Sequence, residues 1–288
     1  MRANRLGSDS NAATFGRLGD TPRRDYALKL RLFNAMAEPE LRETISTLCL
    51  EPGMRVLDAG CGTGETLGWL AGAVAPDGLA VGIDLSANHL RMARTALSHD
   101  VMLVQADLQS SPLAAASFDL VWSVNTINHL HDPLQSVEGL AALLRPGGQI
   151  ALGQSSFLPD MYFAWDSRLE RLTNEAVRQY YRDRYSLHEH DLVTIRSLVG
   201  WLRRAGLRNV RPRTLMIERV SPLGPADEAY LLGAIFRDTW GERLQPYLSR
   251  DDYEELTRLC DPGHPQFALR RPDFHFLQTL TLVMAQAP

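Results

Sequence analysis

The chain has 288 residues, of which 45% are hydrophobic and 22% are charged, and its formal net charge is −4. This size and composition predict a globular protein of one or two domains with a sizeable core. The slightly acidic balance argues against a protein that binds nucleic acid or an anionic membrane, because either partner would favour a basic surface.

Nothing in the sequence predicts export or insertion into a membrane. The three cysteines, Cys49, Cys61 and Cys260, have no spacing typical of a metal or disulfide motif, which indicates a reducing compartment. The N-terminus lacks the apolar run of a signal peptide, and no stretch of about 18 apolar residues could span a bilayer. We therefore expect a cytoplasmic protein that does not act at a membrane.

Two helices are predicted before the first strand. Residues 1–20 are polar and contain glycines, and we expect them to be mobile. Apolar residues then recur at helical spacing over residues 23–37, and a second helical stretch covers residues 39–50. A Glu-Pro-Gly turn at residues 51–53 separates these helices from the first strand.

A glycine-rich turn follows the first predicted strand. Residues 54–58 are largely apolar and end in the carboxylate of Asp58, and glycines stand at alternate positions beyond it, at Gly60, Gly62 and Gly64. A helical pattern begins immediately after them. This order of strand, glycine turn and helix is typical of a nucleotide site, where free N–H groups face the ligand and missing Cβ atoms allow its close approach.

The spacing of this turn argues against a dinucleotide site. That fingerprint is G-x-G-x-x-G, with the pyrophosphate at the helix N-terminus, whereas here Gly64 follows Gly62 after a single intervening residue. The carboxylate of Asp58 would also repel a pyrophosphate. It suits a ligand with a positive amino or sulfonium group, and S-adenosylmethionine is such a ligand.

Two further predicted strands also end in aspartates. Residues 79–86 contain Asp84, which lies 20 residues after Gly64 (84 − 64); acidic residues meet ribose hydroxyls at this spacing in βαβ sites. Residues 101–108 contain Asp107, which can accept a hydrogen bond from an adenine amino group. Each aspartate alone could be a helix cap or a turn residue, but three at successive strand ends indicate a nucleoside site.

The loop 125–133, after the fourth predicted strand, carries the candidate catalytic residues. It supplies two amides and two imidazoles, and Asn125 is placed to meet the amino group of the cofactor. His129 or His131 could remove a proton from an acceptor, because an imidazole titrates near neutrality. The alternative is that one histidine caps the next helix or packs beneath it. Asp132 is the nearest carboxylate and has no acidic cluster around it, so no metal site is predicted.

The second half of the chain continues the sheet with two interruptions. The later strands are predicted at residues 118–124, 149–154, 210–220 and 274–285. A helix is predicted over residues 192–205, with Asp191 preferred to Ser186 as its N-cap. Helically spaced aromatic and charged residues over 156–190 and 221–273 predict two helical insertions. Their aromatic residues are more often part of the core or of a subunit contact than of a pocket wall, but two apolar insertions also suggest a lidded cavity for an apolar molecule or a dimer surface.

Four segments, VLDAGCGTG, VGIDLS, VQADLQSSPLAAASFDLVWSVNTINHL and LLRPGGQIAL, together resemble a class I S-adenosylmethionine-dependent methyltransferase. The resemblance covers residues 50–155 and is to small-molecule enzymes of the ubiquinone/menaquinone-biosynthesis or natural-product type. It implies an α/β, Rossmann-like fold with a seven-stranded sheet, the last strand antiparallel, and helices on both faces. Residues 1–50 would form an N-terminal helical lid on a methyltransferase domain over residues 51–288.

The resemblance also implies which residues hold the cofactor. The implied contacts are Gly60 and Gly62 near the methionine moiety, Asp84 at the ribose, Asp107 and Leu108 at the adenine, and Tyr26 from the lid. The predicted set of cofactor-binding residues also includes Asp58, Cys61, Gly64, Leu85, Ala106 and Asn125. Cys61 would contribute only its backbone. Tyr26 would touch the cofactor carboxylate or the substrate, and the alternative is that its ring packs against the core.

We therefore predict methyl transfer from S-adenosylmethionine to a small, largely apolar molecule, with S-adenosylhomocysteine released and with His129 as the base, aided by Asn125 or His131. The same fold could couple methylation to another reaction, such as cyclisation, or replace it. A non-catalytic cofactor-binding module is a further alternative. A nucleic-acid substrate is disfavoured, and we expect a homo-oligomer, if one forms, to use the N-terminal helices or residues 221–273.

Overall fold

The fold is built around one mixed β-sheet. The protein is seen in a computed structural model that describes residues 26–97, 101–156, 162–163, 166–187 and 194–288. The predictions made for residues 1–20 and for Asp191 lie outside the described residues.

The sheet has the predicted topology. Its strands are β1 (Arg55–Ala59), β2 (Leu79–Asp84), β3 (Val101–Gln105), β4 (Phe118–Val124), β5 (Leu144–Ser155), β6 (Tyr162–Phe163), β7 (Arg208–Val220) and β8 (His275–Gln286). The seven longer strands lie in the order β3-β2-β1-β4-β5-β8-β7, and β8 runs antiparallel to both of its neighbours. The Rossmann-like α/β fold with an antiparallel last strand is therefore confirmed. The two-residue β6, which pairs with β8 on the same edge as β5, was not predicted.

Helices cover both faces of this sheet. They are α1 (Ala27–Met36), α2 (Glu38–Ser46), α3 (Glu65–Val74), α4 (Ala87–Ala96), α5 (Pro133–Ala142), α6 (Ser167–Tyr185), α7 (Ile195–Arg204), α8 (Pro225–Tyr230) and α9 (Arg250–Cys260). A π-helical segment, Leu231–Thr239, continues α8. The helix predicted over 192–205 is α7, which begins at Ile195 after the N-cap Thr194. Ser186, the other N-cap considered, adopts a left-handed conformation and is the C-cap of α6.

Alternate residues of the central strands face opposite sides of the sheet, as the pleat of a strand requires. Val56 and Trp122 belong to the core on the side of α1, α2, α3 and α6, whereas Leu57 and Val121 belong to the core on the side of α5 and α7. Both faces of the central sheet are therefore buried against helices. This explains why the sequences of these parallel strands are apolar almost without alternation.

Arg219, near the carboxyl end of β7, ties the N-terminal helices to the second insertion. Its guanidinium contacts Glu40 of α2 at 2.7 Å and Asp227 of α8 at 2.8 Å, and it donates to the carbonyl oxygen of Met36 at 2.6 Å. Because β7 runs in the same direction as β1, this cluster lies at the carboxyl edge of the sheet. The C-terminus of α1 is thereby fixed at that edge.

Candidate functional site

The carboxyl ends of β1, β2 and β4 meet at one edge of the sheet. Asp58 at the end of β1 is in register with Gly82 of β2 and with Trp122 of β4. Strands β2 and β3 lie on one side of β1, and the chain then crosses to the other side to form β4. The strand order therefore reverses at β1. Ligands of open α/β sheets bind at such a switch point, outside the carboxyl ends of the strands.

The three glycines of the turn are required by backbone conformation and by close packing. Gly60, Gly62 and Gly64 have φ values of +84°, +52° and +93°, a region that favours glycine. A Cβ atom on Gly60 would lie 2.2 Å from Oγ1 of Thr126, and one on Gly62 would lie 3.1 Å from Cδ1 of Leu30. The turn is therefore closely packed by the β4 loop on one side and by α1 on the other.

Three N–H groups at the start of this turn already have partners within the protein. Those of Gly60 and Cys61 donate to the carbonyl oxygen of Ile83 at 2.8 and 3.0 Å, and that of Gly62 donates to Oδ2 of Asp84 at 2.9 Å. A phosphate cradle needs such groups free. These three groups are therefore not available to cradle a pyrophosphate, and the backbone N–H of Cys61 is not free for a cofactor.

Asp58 is a buried carboxyl group with an unmatched oxygen. The residue is 3% exposed, and its Oδ2 has no hydrogen-bond partner among the described residues. Burial, followed by the charges of Asp84 and Glu65, raises the pKa of Asp58 to about 8. A positive group beside Oδ2 would stabilise the ionised form of this carboxyl group. The amino or sulfonium group of S-adenosylmethionine therefore fits the residues present.

Asp84 is held by three groups. Its Oδ2 accepts from the N–H of Gly62, its Oδ1 accepts from the N–H of Ser86 at 2.8 Å, and Nδ1 of His89 lies 3.4 Å from the same Oδ1. Ser86 is the N-cap of α4 and accepts from the N–H of His89. His89 was missed by the sequence analysis. Its position on the first turn of the helix after Asp84 was the available signal.

Asp107 lies at the end of β3, where adenine contacts were predicted. Its Oδ1 accepts from the N–H of Gln109 at 2.9 Å, so the carboxylate also caps the short 3₁₀ turn that follows. Ala106, Leu108 and Leu85 are half-buried around it. The second carboxylate oxygen retains acceptor capacity for a ligand.

Asn125 fixes the β4 loop to the neighbouring strand. It has a positive φ of 57°, a conformation that asparagine tolerates better than most residues. Its Oδ1 accepts from both the N–H and the hydroxyl of Ser155, at 2.7 and 3.0 Å. The amide oxygen is therefore engaged with β5, which makes Asn125 a residue that shapes the loop.

The structure brings His129 together with Tyr26, another of the predicted site residues. The ring of His129 stacks on the ring of Tyr26, with centroids 5.9 Å apart. Tyr26 also contacts the ring of His89 edge-on, with centroids 5.0 Å apart. His131 is exposed. The cap of α5 is Asp132, which accepts from the N–H of Gln135, so neither histidine has the capping role considered as an alternative.

Helix α1 packs directly on the glycine turn. Besides the contact of Leu30 with Gly62, Asn34 donates to Oε2 of Glu65 at 3.0 Å, and the hydroxyl of Thr63 donates to the same oxygen at 2.6 Å. Asn34 of α1 and Thr63 of the glycine turn thus donate to the same carboxylate oxygen of Glu65, the first residue of α3. This placement is compatible with the predicted lid, which stays a prediction.

The described residues contain neither a metal centre nor a membrane-spanning helix. No three histidine, cysteine, aspartate or glutamate side chains in this part of the chain are grouped so that they could hold a metal ion. None of the helices within the described ranges combines the length and the apolar character needed to cross a lipid bilayer.

The central part of the chain matches a known family. Residues 57–152 match the family described as methyltransferase domain. The 27-O-demethylrifamycin SV methyltransferase of Amycolatopsis mediterranei is 34% identical over 117 residues, which are 39% of this chain and 42% of that protein. A malonyl-[acyl-carrier protein] O-methyltransferase of Pseudescherichia vulneris is 39% identical over 121 residues, 40% of this chain and 46% of that protein. The chain therefore spans less than half the length of these two relatives.

Solved structures show the same fold at low sequence identity. Phosphoethanolamine N-methyltransferase 2 of Haemonchus contortus, in complex with phosphomonomethylethanolamine and S-adenosylhomocysteine, has a TM-score of 0.56 and 16% identity, covering 91% of this chain and 58% of that one. The YcgJ protein of Bacillus subtilis has a TM-score of 0.55 and 17% identity, covering 87% and 98%. At these identities the likeness shows the fold alone.

Proposed function

We propose, from the premise that this chain belongs to the class I S-adenosylmethionine-dependent methyltransferase family, that it methylates a small, largely apolar molecule. The cofactor is S-adenosylmethionine, whose sulfonium supplies an electrophilic methyl group. The protein's own part is to hold the acceptor in line with that methyl group, to exclude water and to handle the acceptor's proton. Positioning alone can contribute about 7–11 kcal/mol to such a reaction.

One observation carries this proposal: the carboxyl of Asp58 is buried and has an unmatched oxygen, beside a glycine turn in which the N–H groups of Gly60, Cys61 and Gly62 already donate within the protein. A negative ligand is disfavoured there, because Asp58 and Asp84 lie on the same edge of the sheet. A positive ligand is favoured. We assign Asp58 to the cationic amino-acid end of the cofactor, Asp84 to the ribose, and Asp107 with its neighbours to the adenine.

His129 is the proposed base. It stacks on Tyr26 at the edge of the sheet where the cofactor residues converge, and Asn125 fixes the loop that carries it. A positioned base contributes about 10²–10⁴-fold when the acceptor must lose a proton. His131 has less support for this role, because it is exposed on the same loop.

We further propose that the acceptor atom is an oxygen of a secondary metabolite. The names of two relatives specify methylation of oxygen, and one of these relatives acts on a rifamycin. A proton-accepting imidazole suits a hydroxyl acceptor. The aromatic residues of the second insertion contribute less to this proposal, because Phe236 and Trp240 stack on each other at 5.5 Å and belong to the buried core.

Calorimetry tests the cofactor first. S-adenosylhomocysteine should bind to the purified chain, and NAD and ATP should not. If NAD or ATP bound more tightly than S-adenosylhomocysteine, the assignment of Asp58 would be wrong.

A panel of hydroxyl-bearing small molecules with methyl-labelled cofactor then tests the reaction. Products identified by mass spectrometry should carry one added methyl group; a rearranged product with no added methyl would indicate cyclisation instead. With an acceptor in hand, His129→Ala should lower kcat by about 10²–10⁴-fold. The matched control is His275→Ala. His275 lies on β8, which β4 and β5 separate from β1, and its ring pairs with Glu218, so its removal should leave kcat unchanged. Unchanged turnover of His129→Ala at saturation would remove the base from His129.

A further inference from the structure

His89 is a buried imidazole to which none of the roles above applies. It is 1% exposed and lies on the first turn of α4, the helix that follows Asp84, the carboxylate proposed to bind the ribose. Buried histidines are uncommon unless both their packing and their polar atoms are accommodated. The contacts of its ring point to two neighbours, Asp84 on one side and Tyr26 on the other.

The first neighbour is a carboxylate whose acceptor sites are nearly filled. An ionised carboxylate has about four lone-pair sites. The N–H groups of Gly62 and Ser86 occupy one site on each oxygen of Asp84, and Nδ1 of His89 approaches Oδ1 at 3.4 Å. When Nδ1 carries the proton, His89 uses the remaining capacity of Oδ1. The remaining lone pair is then on Oδ2, the oxygen that also receives Gly62, so His89 determines which oxygen of Asp84 meets a ribose hydroxyl.

The second neighbour is the first described residue of the N-terminal segment. The ring of Tyr26 stands edge-on to His89, with centroids 5.0 Å apart and an interplanar angle of 73°, an arrangement that aromatic pairs prefer. Tyr26 immediately precedes α1, and α1 packs on the glycine turn through Leu30. The start of this helix is therefore in direct contact with a side chain that also touches the ribose carboxylate.

We propose that His89 is a positioning residue that couples the ribose carboxylate, Asp84, to the N-terminal helix through Tyr26. This inference rests on the proposed function, since it concerns how the same cofactor is held. The imidazole fixes the carboxylate with Oδ2 towards the ribose and provides the surface against which Tyr26 sits. The contribution of Tyr26 to cofactor binding therefore depends on His89.

Replacements that separate the two ring nitrogens test the polar half of this role. His89→Asn can place an amide N–H at the position of Nδ1, whereas His89→Gln places it at the position of Nε2 and leaves Oδ1 of Asp84 without that partner. For S-adenosylhomocysteine measured by calorimetry, we expect His89→Asn to keep a Kd within about threefold of the unmodified chain. His89→Gln and His89→Leu should weaken binding about tenfold or more, the range for a hydrogen bond to a charged group.

A double-mutant cycle tests the coupling to the N-terminal helix. Tyr26→Ala should weaken binding of S-adenosylhomocysteine about fivefold in the unmodified chain and by less than about twofold in the His89→Leu background, because contacting residues are not additive. The matched control is Leu28→Ala on α1, whose side chain is exposed and whose removal should change nothing. Thermal unfolding of each cofactor-free variant shows whether it is folded, and if His89→Leu is not, the same cycle is run with His89→Gln.

The outcomes separate this inference from the proposed function. If the unmodified chain does not bind S-adenosylhomocysteine, the proposed function fails, and this inference fails with it. If the chain binds but His89→Gln and His89→Asn are equivalent, or Tyr26→Ala has the same effect in both backgrounds, His89 is only a packing residue and the inference alone is overturned.

Discussion

Asp58 is expected to release a proton when the cofactor binds. Burial, with the charges of Asp84 and Glu65 as lesser causes, raises the pKa of Asp58 to about 8, so its carboxyl is largely protonated at pH 7 in the cofactor-free protein. A cation placed beside Oδ2 favours the ionised carboxylate and lowers this pKa. Binding and proton release are therefore linked at this residue.

The size of the effect follows from the pKa. At pH 7 a group with a pKa of about 8 is about 90% protonated, and at pH 9 it is about 10% protonated. If the bound cation lowers the pKa below about 6, then at least about 0.8 proton is released per cofactor at pH 7 and about 0.1 at pH 9. Ionising Asp58 at pH 7 costs about 1.4 kcal/mol, which weakens cofactor binding by about tenfold relative to pH 9.

Calorimetry in buffers of different ionisation enthalpy measures the number of protons released. S-adenosylhomocysteine is titrated at pH 7 in phosphate and in Tris, for the unmodified chain and for Asp58→Asn. The amide introduced by this substitution has nearly the same shape as the carboxyl but cannot titrate, so the difference between the two proteins removes any proton exchange by the ligand itself. Equal proton numbers in both proteins would refute the assignment of Asp58 to the cation.

The same pKa predicts how the cofactor-free protein responds to pH. Because the pKa of Asp58 is higher in the folded protein than its ordinary value of 3.8, the folded state binds this proton more tightly than the unfolded state. The stabilisation is full below about pH 4 and is lost as the pH rises through about 8. The slope of Tm against pH between 5 and 8 should therefore be flatter in Asp58→Asn, and parallel slopes would contradict the buried, unmatched carboxyl.

Two further predictions concern stability and are read from urea unfolding. Gly60→Ala should lower the free energy of unfolding by about 2–4 kcal/mol, because it adds a Cβ at positive φ within 2.2 Å of Thr126 Oγ1, whereas Gly139→Ala in α5 meets no atom within 4 Å and should be neutral or stabilising. Arg219→Met should cost about 3–5 kcal/mol, because Glu40 and Asp227, both mostly buried, lose the cation that they share, whereas removal of the exposed Arg250 should have no measurable effect. A neutral Gly60→Ala, or an Arg219→Met as stable as the unmodified chain, would contradict the packing described for each.

The glycine turn and the acidic strand ends could be predicted from the sequence because each depends on local backbone requirements. Positive φ values at Gly60, Gly62 and Gly64 leave a direct mark on residue type. The position of Asp58 after a buried strand follows from the apolar run before it. Such features need no knowledge of distant contacts, and the parallel sheet order follows from the same repeated pattern of strand and helix.

The partners of the site residues could not be predicted in the same way. Asn125 was predicted to meet the amino group of the cofactor, and nothing in the sequence indicated that its Oδ1 also accepts from Ser155, 30 residues further along the chain. The stacking of His129 on Tyr26 depends on where α1 packs, because Tyr26 immediately precedes that helix. These contacts join residues that are far apart in the sequence, and their geometry is determined only when the sheet has assembled.

The sequence by itself determined that this chain forms a largely parallel α/β sheet with an antiparallel last strand and an acidic rim suited to a cationic nucleoside, because strand ends and glycine conformations are encoded residue by residue. Only the tertiary structure decided how that rim is arranged. It placed His89 between Asp84 and Tyr26, and it fixed α1 across the rim through Arg219. The physical reason is that side-chain hydrogen bonds and ring contacts depend on positions in space, which several distant segments determine together.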